Sequence, residues 1–227
     1  MLIRIPEVLS KQAVAQARSL LERADWVDGR VTAGVQSAKV KNNLQLPEDS
    51  EATRSLRPVV MQALARNALF FTAALPQRVI PPLFNCYTGS SNTFGDHVDN
   101  ALRPIAGSDA RVRTDLSATL FLSEPEEYDG GELVVQDTFG TQRIKLAAGE
   151  VLLYPSSSVH RVEAVTRGAR YASFFWVQSL VRSNEQRRLL FDMDMAILEL
   201  RQRDAESPAA VKLTGCYHNL LRMWSEP

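Results

Sequence analysis

The sequence predicts an α+β fold, mainly β: a jelly roll with supporting N-terminal helices and a C-terminal helical hairpin. Three observations carry this. From about residue 77 to 178, short apolar segments recur at regular intervals with turn residues between them. That spacing marks a β-sandwich or barrel, and eight strands in a double-sheet jelly roll fit the count. Before this stretch and after it, the apolar positions follow the period of a helix instead.

The elements follow in order. Ile3 to Ile5 reads as a short strand. Ser10 is an N-cap, followed by Val14, Ala17, Leu21 and Ala24 at helical spacing. Ser37 to Leu46 reads as an extended stretch, and Ala52 to Arg66 as a helix that Pro58 either kinks or begins. Arg78 to Tyr87 reads as one extended segment. Leu116, Ala118, Leu120 and Leu122 alternate with Asp115, Ser117, Thr119 and Phe121, a period-2 strand. Asp129-Gly130-Gly131 is a turn, since glycine accepts positive φ. Glu132 to Gln136 and Arg143 to Leu146 form a hairpin around Thr138-Phe139-Gly140. Ala148-Gly149 is a turn before Val151 to Tyr154, and strands 162–166 and 169–178 flank a turn at Arg167-Gly168.

After Gln178, Leu189, Met193, Ile197 and Leu200 share one helical face. Ser207-Pro208 is an N-cap with proline at the first helical position. Leu213, Tyr217, Leu220 and Trp224 mark the next helix. Residues 1–180 are therefore read as the jelly-roll domain with its N-terminal helices, and 181–227 as a helical appendage. The hairpin packs on the barrel or on a second subunit, which would make a homo-oligomer.

Bulk properties exclude several classes. Among 227 residues, 45% are hydrophobic and 23% charged, as in ordinary globular domains. Lys+Arg and Asp+Glu number 26 each, so no global field recruits nucleic acid or an anionic membrane. No stretch approaches 18 uninterrupted apolar residues, so no membrane-spanning helix is expected. The start MLIRIPEVLSKQ has no long apolar core of a secretory signal. Cys86 and Cys216 are read as unpaired thiols in a reducing cytoplasm.

His97, Val98 and Asp99, with the distant His160, form the candidate metal group. On an extended segment, residues i and i+2 point the same way, so His97 and Asp99 face one cavity. A third ligand comes from a neighbouring strand, and His160 opens one. Two imidazoles and a carboxylate hold one face of a ferrous ion and leave open positions for oxygen and a co-substrate. The same set suits a structural zinc ion. His218 falls outside the pattern and is read as structural or surface. Arg170, Ala172, Phe174 and Trp176 share one face of a strand whose other face carries Tyr171, Ser173, Phe175 and Val177. A strand apolar on both faces is buried, and a buried arginine needs an anion. Its planar guanidinium suits a carboxylate, such as that of the dicarboxylate 2-oxoglutarate.

The segment Thr93 to Ala101, the strand Arg113 to Leu122, Tyr128-Asp-Gly-Gly-Glu-Leu133, Tyr154-Pro155 and the block His160 to Trp176 resemble the bacterial PKHD-type hydroxylases, relatives of the prolyl 4-hydroxylase catalytic domains. The resemblance covers nearly the whole chain. It implies a double-stranded β-helix, Fe(2+), 2-oxoglutarate as co-substrate, L-ascorbate as reductant, and hydroxylation of a small-molecule or peptidyl substrate with release of succinate and carbon dioxide. It implies His97, Asp99 and His160 as iron ligands, Arg170 as the co-substrate arginine and Tyr87 as an aromatic contacting 2-oxoglutarate. Cys86 stands where relatives carry a basic residue and receives no role. The carboxylate at Asp99 favours hydroxylation over halogenation. The loop Asn100 to Arg111 is read as part of a lid over the substrate. A rival reading is a non-catalytic iron or 2-oxoglutarate sensor acting through its C-terminal helices. Nucleic-acid demethylases of the superfamily carry an arginine where this chain has Trp176, which argues against that activity.

Overall fold

The computed structural model describes residues 1–104, 109–137, 140–204 and 207–226. The N-terminal part runs β1 (Ile3–Ile5), α1 (Lys11–Leu21), β2 (Val27–Asp28), α2 (Val35–Ala38), β3 (Lys41–Asn42), β4 (Leu44–Gln45), α3 (Glu51–Arg66) and α4 (Ala68–Ala74). The barrel follows as β5 (Pro76–Val79), β6 (Leu83–Thr88), β7 (Thr93–His97), β8 (Leu102–Pro104), β9 (Arg111–Arg113), β10 (Leu116–Phe121), β11 (Tyr128–Gly130), β12 (Leu133–Asp137), β13 (Gly140–Ile144), β14 (Val151–Pro155), β15 (His160–Val162) and β16 (Val165–Ser179). Helices α5 (Asn184–Arg203) and α6 (Pro208–Trp224) end the chain.

Two antiparallel sheets make the expected jelly roll. The larger has the order β1-β14-β10-β16-β6-β4-β2, and the smaller β13-β12-β15-β7-β3. Along the chain β6, β10, β14 and β16 lie in the larger sheet, while β7, β12 and β15 lie in the smaller one. Each crossing leaves one face of each sheet toward its partner. The outer face of the larger sheet is covered by α1, α3 and α4 through Val14, Leu21, Leu56, Leu64 and Phe70, which pack with Phe84, Leu120, Leu153 and Phe175. Ser10 caps α1 and Ser50 caps α3, each accepting from the backbone N–H three residues on. Pro58 lies inside α3, which runs through it. The expected proline effect is thus neither a start nor an end of the helix.

Several expectations change. Ser37 to Leu46 is not one extended stretch: α2 occupies its start, and two two-residue strands follow. Pro81 and Pro82, which lack N–H donors, split the expected segment Arg78 to Tyr87 into β5 and β6. The 100–111 connection carries a hairpin, since β8 pairs with β9; its residues 105–108 lie outside the described residues. Thr138 and Phe139, the expected turn centre, also lie outside them. Helix α4 was not expected. It is seven residues long, too short to show a periodic face, and Asn67 caps it through Phe70 N at 2.8 Å. The C-terminal hairpin docks on this helix: Leu75, Val181, Leu190, Ile197 and Tyr217 share a cluster, and Thr72 Oγ1 donates to Asp194 Oδ2 at 2.7 Å.

The predicted turn at Arg167-Gly168 is wrong. β16 runs unbroken through both residues, and only Glu163 and Ala164 separate it from β15, with the chain direction kept. Gly168 serves a different need. Its φ is +75°, and a Cβ there would sit 2.0 Å from Glu127 O on the neighbouring strand's approach. Glycine is present because backbone comes too close for a side chain.

Gly168→Ala should therefore destabilise the chain by about 1–3 kcal/mol or more, from left-handed strain plus the backbone clash. Gly215→Ala, in α6 with open space around it, should stabilise by about 0.5–1 kcal/mol. Urea midpoints of the two variants test this; a neutral Gly168→Ala refutes the close-approach account.

Candidate metal centre and cleft

The two candidate histidines meet because their strands pair. β15 runs antiparallel to β7 with His160 opposite His97, and directly opposed residues hold their Cβ atoms close. Their ring centroids are 4.2 Å apart. His97 ends β7, so Asp99 lies just beyond the strand rather than within it. The carboxylate still turns toward the histidines, with Asp99 Oδ2 3.7 Å from His160 Nε2. One ligand atom from each of His97, Asp99 and His160 falls within 4.8 Å of the others. The expected trio therefore converges.

Backbone carbonyls set the imidazole tautomers. His97 Nδ1 lies 2.8 Å from Gly95 O and His160 Nδ1 3.0 Å from Ser158 O. A carbonyl only accepts, so each Nδ1 carries the proton and each Nε2 keeps a free lone pair. Burial, and then the neighbouring His160, pull the His97 pKa down to about 4, which keeps that ring neutral. Phe94 stacks on His97 at 3.6 Å between centroids. Ser117 Oγ donates to Asp99 Oδ2 at 2.6 Å and is 2.8 Å from Ser156 Oγ, so a buried hydroxyl pair fixes the carboxylate. Neutral imidazoles and an oriented carboxylate can hold a divalent metal. Sequence reasoning named Ser117 only as a strand residue; nothing in a serine's position announces such a contact.

Arg170 lies across the cleft on the larger sheet, opposite Tyr87 on β6. It is 1% exposed. Its guanidinium carbon is 5.3 Å from the Tyr87 ring centroid and 5.1 Å from that of Phe121. None of its three guanidinium nitrogens has a hydrogen-bond partner among the described residues. Burial pushes the Tyr87 hydroxyl up to about 12, so it stays protonated. Cys86 is buried and does not line the cleft; burial lifts its thiol to about 11. His218 is exposed on α6, away from the trio.

A cleft continuous with solvent lies between the sheets. The trio lines it from the smaller sheet, Ser117, Tyr87 and Arg170 from the larger, and Phe174 and Trp176 continue the Arg170 face. Lys41 and Arg103 also line it. Burial lowers the Lys41 ammonium to about 8. Neither was picked out as a site residue from sequence.

Comparison with known proteins agrees with this arrangement. Residues 82–178 match the 2OG-Fe(II) oxygenase superfamily, and residues 184–226 match the PKHD-type hydroxylase C-terminal domain. A PKHD-type hydroxylase of Saccharophagus degradans is 59% identical over 226 residues, spanning 100% of both chains. Among solved structures, a Pseudomonas putida prolyl-4-hydroxylase is similar with a TM-score of 0.53 and 18% identity, covering 78% of this chain and 92% of that one. A Trichoplax adhaerens prolyl hydroxylase, solved with a peptide of hypoxia inducible factor, gives 0.54 at 17% identity over 83% and 86%. The structural likenesses establish the shared fold. The full-length identity establishes more: this chain belongs to the PKHD-type hydroxylases, iron(II)- and 2-oxoglutarate-dependent dioxygenases.

Proposed function

We propose that His97, Asp99 and His160 hold the ferrous ion, that Arg170 receives the distal carboxylate of 2-oxoglutarate beside Tyr87, and that the enzyme hydroxylates a small-molecule or peptidyl substrate. The observation that carries this reading is the sealed guanidinium of Arg170. A buried cation without an anion is costly, and a carboxylate binding it bidentately removes that cost. The two free Nε2 lone pairs and the Ser117-held carboxylate fit the metal in the same way. Iron, when bound, supplies oxygen activation: substrate, 2-oxoglutarate and dioxygen give hydroxylated substrate, succinate and carbon dioxide.

The chain's own residues do the positioning. Gly95 O and Ser158 O hold the imidazoles in the metal-accepting tautomer. Ser117 and Ser156 hold Asp99. The rings of Tyr87, Phe121 and Tyr128 close off the Arg170 end of the cleft from water. L-ascorbate as reductant follows from the family resemblance. A cytoplasmic setting follows from two unpaired cysteines and from ferrous chemistry. The division at residue 180 rests on the separate cluster that the C-terminal helices form with Leu75 and Val181. The exposed Leu189, Leu198, Val211 and Met223 on those helices are the surface for a second copy. Among the described residues no helix is long and apolar enough to cross a membrane.

Anaerobic reconstitution with Fe(II) and 2-oxoglutarate, followed by a succinate assay over peptide and metabolite panels, tests the reading. Succinate should appear even without substrate, by slow uncoupled turnover; its complete absence sinks the catalytic assignment and favours a sensor. Arg170→Met should weaken 2-oxoglutarate binding about 10- to 100-fold in calorimetry, the loss of charge-assisted hydrogen bonds, with metal affinity kept. Asp99→Ala should abolish metal binding, and Ser117→Ala should weaken it about 10-fold, as loss of an outer partner does. Retained metal affinity in Asp99→Ala would remove Asp99 from the ligand set.

A further inference from the structure

The charges around the cleft do not balance. On the co-substrate reading above, the ferrous ion and Arg170 are neutralised by Asp99 and the dianion 2-oxoglutarate. Lys41 and Arg103 are left over. Lys41 is 6% exposed, and its ammonium meets only uncharged oxygens, Thr32 Oγ1 at 3.0 Å and Gln45 Oε1 at 3.2 Å. It sits between the ring of Phe94 on the smaller sheet, at 5.4 Å, and that of Phe174 on the larger, at 5.7 Å. Arg103 enters from the β8–β9 hairpin and lies 3.8 Å over the Trp176 ring. Both line the cleft, and among the described residues neither has an ion-pair partner.

Elsewhere this chain pairs its arginines readily, as in Arg4–Glu150, Arg113–Asp115 and Arg167–Asp129. The cleft departs from that habit. The two cations are close enough to act on each other, and the Asp99 carboxylate acts on both from beyond ion-pairing distance; an anion beside them adds the close partner that neither has among the described residues. Asn43, 2% exposed, lines the same wall with its amide beside the Tyr87 hydroxyl. The neighbouring aromatic faces of Phe94, Phe174 and Trp176 provide an apolar lining beside the charge.

We propose that the substrate carries an anionic group, a carboxylate by chemical class, and that Lys41 and Arg103 seat it in the cleft. Seating one end of the substrate fixes which of its carbons comes near the metal trio. Lys41 and Arg103 are thus specificity-determining residues, separate from the arginine that receives the co-substrate.

The test uses full-length protein loaded with cobalt(II) and saturated with 2-oxoglutarate. The probes are butyrate and hexanoate with their matched primary amides, butyramide and hexanamide. Proton relaxation of each probe by the paramagnetic ion reports binding near the metal. The carboxylates should bind about tenfold tighter than the amides, the scale of charge-assisted hydrogen bonding. Lys41→Met and Arg103→Met should each remove most of that preference and leave amide binding unchanged. Arg103 is on an edge hairpin, so its variant is informative even where the buried Lys41→Met fails to fold. Equal binding of acid and amide, no saturable binding by either, or an acid preference that survives Arg103→Met and the double variant overturns the proposal. Calorimetry with 2-oxoglutarate on the same samples separates the two readings. Wild-type protein that does not bind it refutes the co-substrate assignment, while the acid–amide comparison is still read on the cobalt-loaded chain.

Discussion

A guanidinium sealed between two sheets, with no carboxylate paired to it among the described residues, is the constraint on which the rest of the structure depends. Folding must desolvate Arg170 with the Tyr128 hydroxyl as its polar neighbour, a cost that a folded chain tolerates only where other burial outweighs it. The flanking rings of Tyr87 and Phe121 offset part of it through their faces. The fifteen-residue strand β16 supplies the rest of the support, since it pairs with β10 on one side and β6 on the other. That strand carries Arg170 at one end of the cleft and Trp176 at the other. On the proposed role of Arg170, co-substrate binding and fold stability are linked: a ligand that meets the guanidinium stabilises the state that buries it.

The smaller sheet contributes the complementary half. Its strands deliver two imidazoles by direct cross-strand pairing, and carbonyls two residues before each histidine set the ring protons. The repetition is geometric. In both cases the histidine reaches back to the carbonyl at i−2, a short local bond that leaves Nε2 free. Asp99, lacking such a backbone clamp, is held instead by Ser117 from the larger sheet. The trio thus comes from the smaller sheet and the support for its carboxylate from the larger, so any slip of one sheet against the other would part Asp99 from its hydroxyl.

Much of this was legible in the sequence. The jelly roll, helix α1 with its Ser10 cap, helix α3, the C-terminal hairpin and the convergence of His97, Asp99 and His160 all follow from periodicity, caps and spacing. The misreadings have physical causes. A glycine in positive φ marks a turn or a close backbone approach, and sequence does not say which; Gly168 is the second kind. The actual break between β15 and β16 falls at Glu163-Ala164, which carry no turn residue and do not reverse the chain. Helix α4 is too short for its pattern to rise above chance. Ser117, Lys41, Asn43 and Arg103 matter through neighbours far away in the chain, and tertiary proximity leaves no local signature. His97 and Asp99 were placed on one strand by alternation; the strand stops at His97, and side-chain direction survives for two residues beyond it.

Strand alternation has one more effect. Tyr87 faces the cleft, so Cys86 beside it faces the opposite side, against Tyr171 and beneath α1. Its thiol is buried and held protonated. An enzyme that handles dioxygen at its centre inevitably misfires, and sulfur is the side chain most easily damaged. By placing the sulfur one residue out of phase, the pleat puts a full layer of backbone between it and the oxidant. The same alternation that aims the tyrosine inward turns the sulfur away from the cleft.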